Sequence, residues 1–357
     1  MKPDTISELE PILVAAEARQ AGQRPWRDTG GTVTYLPDLD ALRELLTVPM
    51  TAQATTQSGR LAKAFDAWLA YELRRAGFGA DEVWPRITQP RVISTEMARM
   101  ERAIAALGAQ FDKMDAKPGD KPTGWAGLRG AIGKSQATIP ATSASNILGR
   151  FYVKQVDVAV SSWDRGPDVL ISGKTMFSSY GKNTKNRYEE TLGEAVNLRD
   201  RHPLAAMGYA FVVNVDIYKE KGAYARLQDL LRRTRKPDGP YDATLLLVAD
   251  WDAATSALVI QDSAEAPDLG AAPFFQDLLN AVITNTPVGI HQDVRELRDG
   301  KAPTGGAPNP VADASSVAKA KERAAEQPDD AATDDDQDPD EDQDGEGAAQ
   351  ADTLEFE

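Results

Sequence analysis

The sequence predicts an α/β fold in which helices flank a mixed sheet, and three observations carry that prediction. Residues 207–215 and 243–249 form nearly continuous apolar runs, the pattern of strands buried on both faces. Segments with apolar residues at helical spacing lie before, between and after these runs. Residues 152–161 and 168–176 are two further β-rich runs joined by a Trp-Asp-Arg-Gly-Pro turn, and together they read as a β-hairpin.

From the N-terminus, residues 7–21 and 39–48 read as short amphipathic helices. Residues 58–76 read as a longer one, with Leu61, Phe65, Trp68, Leu69 and Leu73 at helical spacing and Gly77 as a natural stop. Val83, Trp84, Pro85 and Arg86 suggest a short edge strand, where a proline is tolerated. Residues 95–114 return to a helical pattern, whereas 115–149 are rich in Gly, Pro, Ser and Thr and read as a loop-rich insertion. Within it, 127–135 (GLRGAIGKS) has glycines and a lysine near phosphate-loop spacing, but its first Gly stands one residue too early and no buried strand precedes it. A flexible loop is the expectation there. Beyond the hairpin, helices are expected over 186–201, 223–233 and 273–283, and a further strand over 257–261, with no internal repeat.

Charge divides the 357-residue chain unevenly. Residues 301–357 hold four Lys and Arg against seventeen Asp and Glu, so −13 of the formal −15 lies there and the remainder is close to neutral. Global acidity therefore does not exclude a nucleic-acid partner, since a balanced body can carry local basic surfaces. From residue 312 onward Asp, Glu, Ala, Gln and Pro dominate, with too few large apolar side chains to offset ordering entropy, so a disordered acidic tail is expected. Such a tail would solubilise the chain or fold back onto basic surfaces, and its last residues, Leu354 to Glu357, could dock a partner. The division that follows is an N-terminal helical region (1–57), an α/β body (58–300) and the tail (301–357).

The chain contains no Cys, which excludes disulfides, thiolate metal sites and a cysteine nucleophile. No run approaches the roughly eighteen apolar residues that span a bilayer, and the N-terminus lacks a secretory pattern, so a cytoplasmic location without a membrane partner is expected. The two histidines, His202 and His291, have no acidic or Ser partner at recognisable spacing, which argues against a hydrolase triad or a His-metal site. His202, before Pro203, is expected to serve a helix end.

Metal-dependent phosphodiester cleavage requires carboxylates that converge on a divalent cation, and a cation or base near the attacked phosphate. Asp157 lies in the first strand of the hairpin (KQVDVAV). The second strand ends in Ser172, Gly173 and Lys174 (DVLISGK), with Ser172 and Lys174 on one face because strand side chains alternate. On these residues and the order of elements, the chain resembles the PD-(D/E)XK nuclease superfamily. That superfamily's core runs helix, three strands, helix, strand, with an Asp on the second strand and an acid-x-Lys on the third.

The resemblance implies a restriction-endonuclease-like mixed sheet flanked by helices, with N-terminal helical additions, over about 150 residues of the chain. It implies a Mg²⁺ site, with Mn²⁺ as a substitute, that has Asp157 as ligand and Lys174 at the scissile phosphate or attacking water. Asp66 or Glu72 on the preceding helix would be the auxiliary acid. Ser172 stands where the family carries Glu or Asp and offers only a hydroxyl. Some members place the missing acid on the following helix, where Glu189, Glu190 and Glu194 are available; Glu190 is taken as the second metal ligand. A second registration uses Pro167-Asp168 as the acidic element. Lys182, Lys185 and Arg187 in the loop after the hairpin are expected to bind substrate together with Ser172, and Arg232, Arg233, Arg235 and Lys236 either track phosphates or cap a helix.

The function this implies is a Mg²⁺-dependent DNA endonuclease resembling restriction enzymes, as a possible homodimer, in genome defence. Two alternatives stay open: a nuclease-fold module that binds nucleic acid or assembles without cutting, and a scaffold unrelated to nucleic acid.

Overall fold

The computed structural model describes residues 5–55, 58–113, 125–139, 142, 144–237, 239–262 and 265–301, with the backbone alone at 29, 111–113, 125–126, 137 and 181–190. A 3-10 turn, Thr5–Leu9, runs into α1 (Glu10–Gln20). A hairpin of β1 (Trp26–Thr29) and β2 (Thr32–Tyr35) follows, then α2 (Leu39–Thr51) and α3 (Arg60–Arg75). After β3 (Val83–Trp84) come α4 (Thr95–Lys113), α5 (Trp125–Ala137) and the pair β4 (Ser145–Leu148) and β5 (Val153–Val156). The central run is β6 (Val158–Ser162), β7 (Gly166–Met176), α6 (Tyr180–Arg199), β8 (Ala206–Asn214), α7 (Ala223–Thr234) and β9 (Ala243–Asp252). It closes with β10 (Ala257–Gln261), α8 (Ala271–Asn285) and α9 (Gln292–Arg298).

Six strands form one mixed sheet in the order β10-β9-β8-β7-β6-β3. The pairs β6–β7 and β9–β10 are antiparallel, while β7–β8 and β8–β9 are parallel and are connected through α6 and α7. The α/β architecture with a mixed sheet between helices is thus present. Strand β8 lies at the centre, and its two faces differ: Ala206, Ala210 and Val212 join one apolar cluster, Met207, Tyr209, Phe211 and Val213 the other. The small-residue face lets α8 approach; a Cβ on Gly208 would meet the Phe274 ring at 3.0 Å. Helix α3 packs on this side too, with Leu61, Phe65, Trp68, Leu69 and Leu73 buried. Each such side chain contributes about 1.5–3 kcal/mol through burial. Residues before 58 share this core, since Leu9, Leu13, Tyr35, Leu42 and Leu45 belong to the same cluster as α3 and α8.

Two expectations need correction. The insertion is not all loop: α5 spans GLRGAIGKS, which excludes a phosphate loop there and also the flexible loop expected instead. Leu128 and Ile132 stand one helical turn apart, and Ile132 meets α4 at Gly108. The first run of the β-hairpin is not one strand either. It breaks at Asp157: β5 pairs with β4 in a separate two-stranded sheet, and only β6 pairs with β7. The β1–β2 hairpin was not expected, although Gly30-Gly31, with φ of 65° and 89°, is the two-residue turn such hairpins use. The acidic segment from 302 onward lies outside the described residues.

Candidate active site at the break between two sheets

Asp157 is the residue at which the chain leaves the small β4–β5 sheet for the large one. The β6–β7 ladder begins one residue later, at Val158↔Ile171, so Asp157 lies just outside it. Its carboxylate turns to β7 instead: Oδ2 accepts from the Gly173 N–H at 2.9 Å and lies 3.5 Å from the Ser172 hydroxyl. The Lys174 ammonium stands 3.8 Å from the same oxygen. Alternation along β7 puts Ser172 and Lys174 on one face and Gly173 on the other, toward α3.

Across that other face comes Asp66 from α3. It is 2 % exposed, and a Cβ on Gly173 would sit 2.8 Å from its Oδ1, so the glycine is what admits the carboxylate. Oδ1 is buried and has no hydrogen-bond partner, while Oδ2 lies 3.6 Å from the Lys63 ammonium one turn back along the helix. Burial, followed by the negative charge of Asp157, pushes the Asp66 carboxyl up to about 7 against the pull of Lys63 and Lys174. The site therefore gathers Asp66, Asp157 and Lys174, all expected from the sequence, with Ser172 beside them. Lys63 was missed. Its only signal was the three-residue spacing to Asp66 on a helix, which is common on solvated faces.

Glu72, the alternative to Asp66, is occupied elsewhere. It is fully buried, accepts from the Tyr35 hydroxyl at 2.8 Å and the Asp38 N–H at 2.7 Å, and pairs with Arg75 at 2.7 Å. Burial raises its pKa, with Arg75, the Asp38 N–H and Tyr35 opposing the rise. It ties the β2–α2 junction to α3.

Helix α6 starts at Tyr180, so Lys182, Lys185 and Arg187 lie within its first turns and not in the expected loop; Ser179, at φ 54°, makes the turn into it. The side chains of these three, and that of Glu190, lie outside the described residues. Glu194, one turn after Glu190, is buried and pairs with Lys154 of β5 at 3.3 Å. The basic set after α7 is taken up by acids: Arg232 and Arg235 by Asp268, Arg233 by Asp229, and Lys236 by Asp242. That pattern fits a helix end better than a phosphate track.

The second registration fails on position, because Asp168 sits toward the other end of β7. It receives Arg165 Nε at 3.2 Å and His291 Nε2 at 2.9 Å. His291 thus has the acidic partner that sequence spacing did not reveal, and His202 contacts the Leu148 carbonyl at 2.9 Å just after α6.

Asp66 and Asp157 are oxygen donors of the kind a hard divalent cation takes, but two carboxylates that each face an ammonium group do not by themselves make a metal site. Among the described residues no group of three or more His, Asp and Glu side chains is gathered that could hold a metal ion. Fold and site together define an α/β protein whose mixed sheet brings two carboxylates and two ammonium groups together beside β7. Compared with models of known families, with characterised proteins and with solved structures, the chain finds no match. No described helix is long and apolar enough to cross a membrane.

Proposed function

We propose that this chain is a metal-dependent DNA endonuclease resembling restriction enzymes of the PD-(D/E)XK superfamily. The observation that carries the reading is the convergence of Asp66, Asp157 and Lys174 from three separate elements. The order α3, β3, β6, β7, α6, β8 supports it, with α4 to β5 inserted between the first two strands. In that order the Asp precedes the second strand and the Lys lies on the third.

Asp157 and Glu190 would hold Mg²⁺ or Mn²⁺, and Asp66 would be the auxiliary acid beside them. The ion would supply Lewis-acid stabilisation of the attacked phosphate and a bound water of lowered pKa. Lys174 holds negative charge on the phosphate and orients the attacking water, and the Gly173 N–H fixes the Asp157 carboxylate against the strand. Lys182, Lys185 and Arg187 are assigned to the DNA backbone, and the chain acts in genome defence as a homodimer.

The test is cleavage of phage, plasmid and modified DNA with Mg²⁺, Mn²⁺ or EDTA by wild type and Lys174→Ala. Cutting should require metal and fall by about 10²-fold or more in the variant, in line with loss of a positioned proton-transfer or charge-holding group. Undiminished cutting by Lys174→Ala would sink the assignment. One observation favours a second reading, a module that binds DNA without cutting: Ser172 occupies the acidic position and its hydroxyl faces Asp157. Metal-insensitive binding without cleavage by wild type would select it.

A further inference from the structure

Away from β7, six large apolar side chains are left exposed around the small β4–β5 sheet. Leu148 and Val153 are cross-strand partners on its outer face, while Ile147 and Val156 turn inward to the core. Phe151 and Tyr152 belong to the turn between the strands. Val196 of α6 stands one helical turn before Asp200, which pairs with Arg150 of that turn at 2.7 Å. Leu204 follows His202, whose Nε2 lies 2.9 Å from the Leu148 carbonyl. Phe151 is 70 % exposed, Leu204 64 % and Val153 57 %. An aromatic side chain alone covers about 150–250 Å², so the six present on the order of 500 Å², the size at which a bare apolar patch marks a contact surface. The turn is also pinned. Asn197, buried on α6, accepts from the Phe151 and Tyr152 N–H groups at 2.8 and 3.2 Å and donates to the Tyr152 carbonyl at 3.1 Å, and the Arg150 N–H donates to the Asn197 carbonyl at 2.8 Å. A rigid apolar turn loses little freedom when something covers it.

The charges around the patch decide what covers it. They come in pairs, Arg150 with Asp200 and Lys154 with Glu194, and Arg201 beside His202 adds a cation, which is short of the surplus that tracks a phosphate backbone. A strongly acidic or basic partner would equally want a surplus of the opposite sign. One exposed cation beside one acid matches itself after a two-fold rotation, the property of an isologous interface, in which residue i meets j and j meets i. The exposed apolar area is also the size of the core of a standard interface, which buries about 800 Å² per partner. We propose that this face joins two copies of the chain, with Phe151 and Leu204 at the core of the contact and Arg150 of each copy meeting Asp200 of the other. The proposal gives the homodimer a surface, and it does not rest on metal binding or cleavage.

The experiment is sedimentation of the full chain over a wide range of concentration, in EDTA and without DNA. Wild type should pass from monomer to dimer as concentration rises. Phe151→Asp and, on a separate segment, Leu204→Glu should each weaken the dimer by about 30-fold or more, the scale of an interface hot spot, while the melting temperature of the dilute chain stays that of wild type. Trp163→Asp, at an exposed residue of the turn between β6 and β7, is the control and should leave the dimer intact. Wild type that stays monomeric at the highest concentration overturns the proposal, and so does a dimer of undiminished strength in both Phe151→Asp and Leu204→Glu or one weakened equally by Trp163→Asp. If wild type is a monomer that binds a DNA duplex and Phe151→Asp weakens that binding, the face belongs to nucleic acid and the proposal falls. The nuclease reading is tested separately, by cleavage with Lys174→Ala.

Discussion

Strand β7 carries a carboxylate cluster toward each end, and the two are built on opposite principles. Near its start, Asp168 is buried and receives both Arg165 and His291, at 3.2 and 2.9 Å. Arg165 also reaches Glu82 at 3.1 Å, while His291 faces Glu82 at 4.0 Å and packs edge-on against Phe78. Short, mutually supporting contacts leave this cluster closed, and it anchors the segment leading into α9. Six residues later Lys174 meets Asp157 at 3.8 Å, Lys63 meets Asp66 at 3.6 Å, and one Asp66 oxygen meets no hydrogen-bond donor. The same residue types are saturated by short contacts at one end and held by longer ones at the other, where one buried Asp66 oxygen has no hydrogen-bond partner.

The sharpest way to break this comparison is to remove one acid from each end. Asp168→Ala removes the buried acid that Arg165 and His291 share, with Glu82 still beside them, and loss of one partner of a buried pair costs up to about 3–5 kcal/mol. The melting temperature should fall by up to roughly ten degrees on the scaling for a body of this size, with Mn²⁺ binding retained by the folded fraction. Lys174→Ala should show the reverse pattern: a melting temperature within about two degrees of wild type, as for most partly exposed substitutions, and loss of cleavage. Calorimetry and cleavage on the same preparations decide it; a collapse of Mn²⁺ binding in Asp168→Ala with stability intact would invert the roles of the two ends.

Asp66 sharpens the comparison through pH. Its folded pKa of about 7 lies above the ordinary 3.8, so the folded state holds the proton more tightly than the unfolded chain. Stability from this group is fully present below pH 4 and declines as pH rises toward 7, by about 1.4 kcal/mol per unit. Asp66→Asn mimics the neutral acid. In EDTA it should match wild type near pH 4 and exceed it by a few kcal/mol at pH 8, measured by urea unfolding. An equal offset at both pH values would mean that Asp66 is ionised throughout. Glu72→Gln offers the control on the same helix, since its partners are protein groups: it should destabilise without changing Mn²⁺ binding.

How far the sequence reveals these clusters depends on how local their causes are. Strands β8, β9 and β10 and helices α7 and α8 follow from apolar runs and periodicity, and were placed to within a few residues. Asp157 and Lys174 were legible because hairpin pairing brings them together over 17 residues. Choosing Asp66 over Glu72 was not, since both lie on one helix and only its packing against β7 decides which meets Gly173. The Asp168–His291 contact closes a separation of 123 residues, for which no local pattern exists. Helix α5 was hidden by its own glycines, which lower helix propensity but do not forbid a helix packed against α4.

The smallest expected effect is the most specific to the open end. Gly173 has no side chain, and Asp66 fills the space that one would occupy, with Oδ1 2.8 Å from the Cβ position. Gly173→Ala therefore forces the carboxylate back by a few tenths of an ångström, short of the cost of a large overpacking at about 1–3 kcal/mol. It leaves the Gly173 N–H bond to Asp157 possible, so the change falls on one aspartate alone. Stability should drop by about 1 kcal/mol, while Mn²⁺ affinity in the presence of duplex should drop by a factor comparable to that of Asp66→Asn. A variant that loses stability but binds Mn²⁺ as wild type does would show that Asp66 approaches β7 for packing, and would move the open end of the comparison to Asp157 and Lys174 alone.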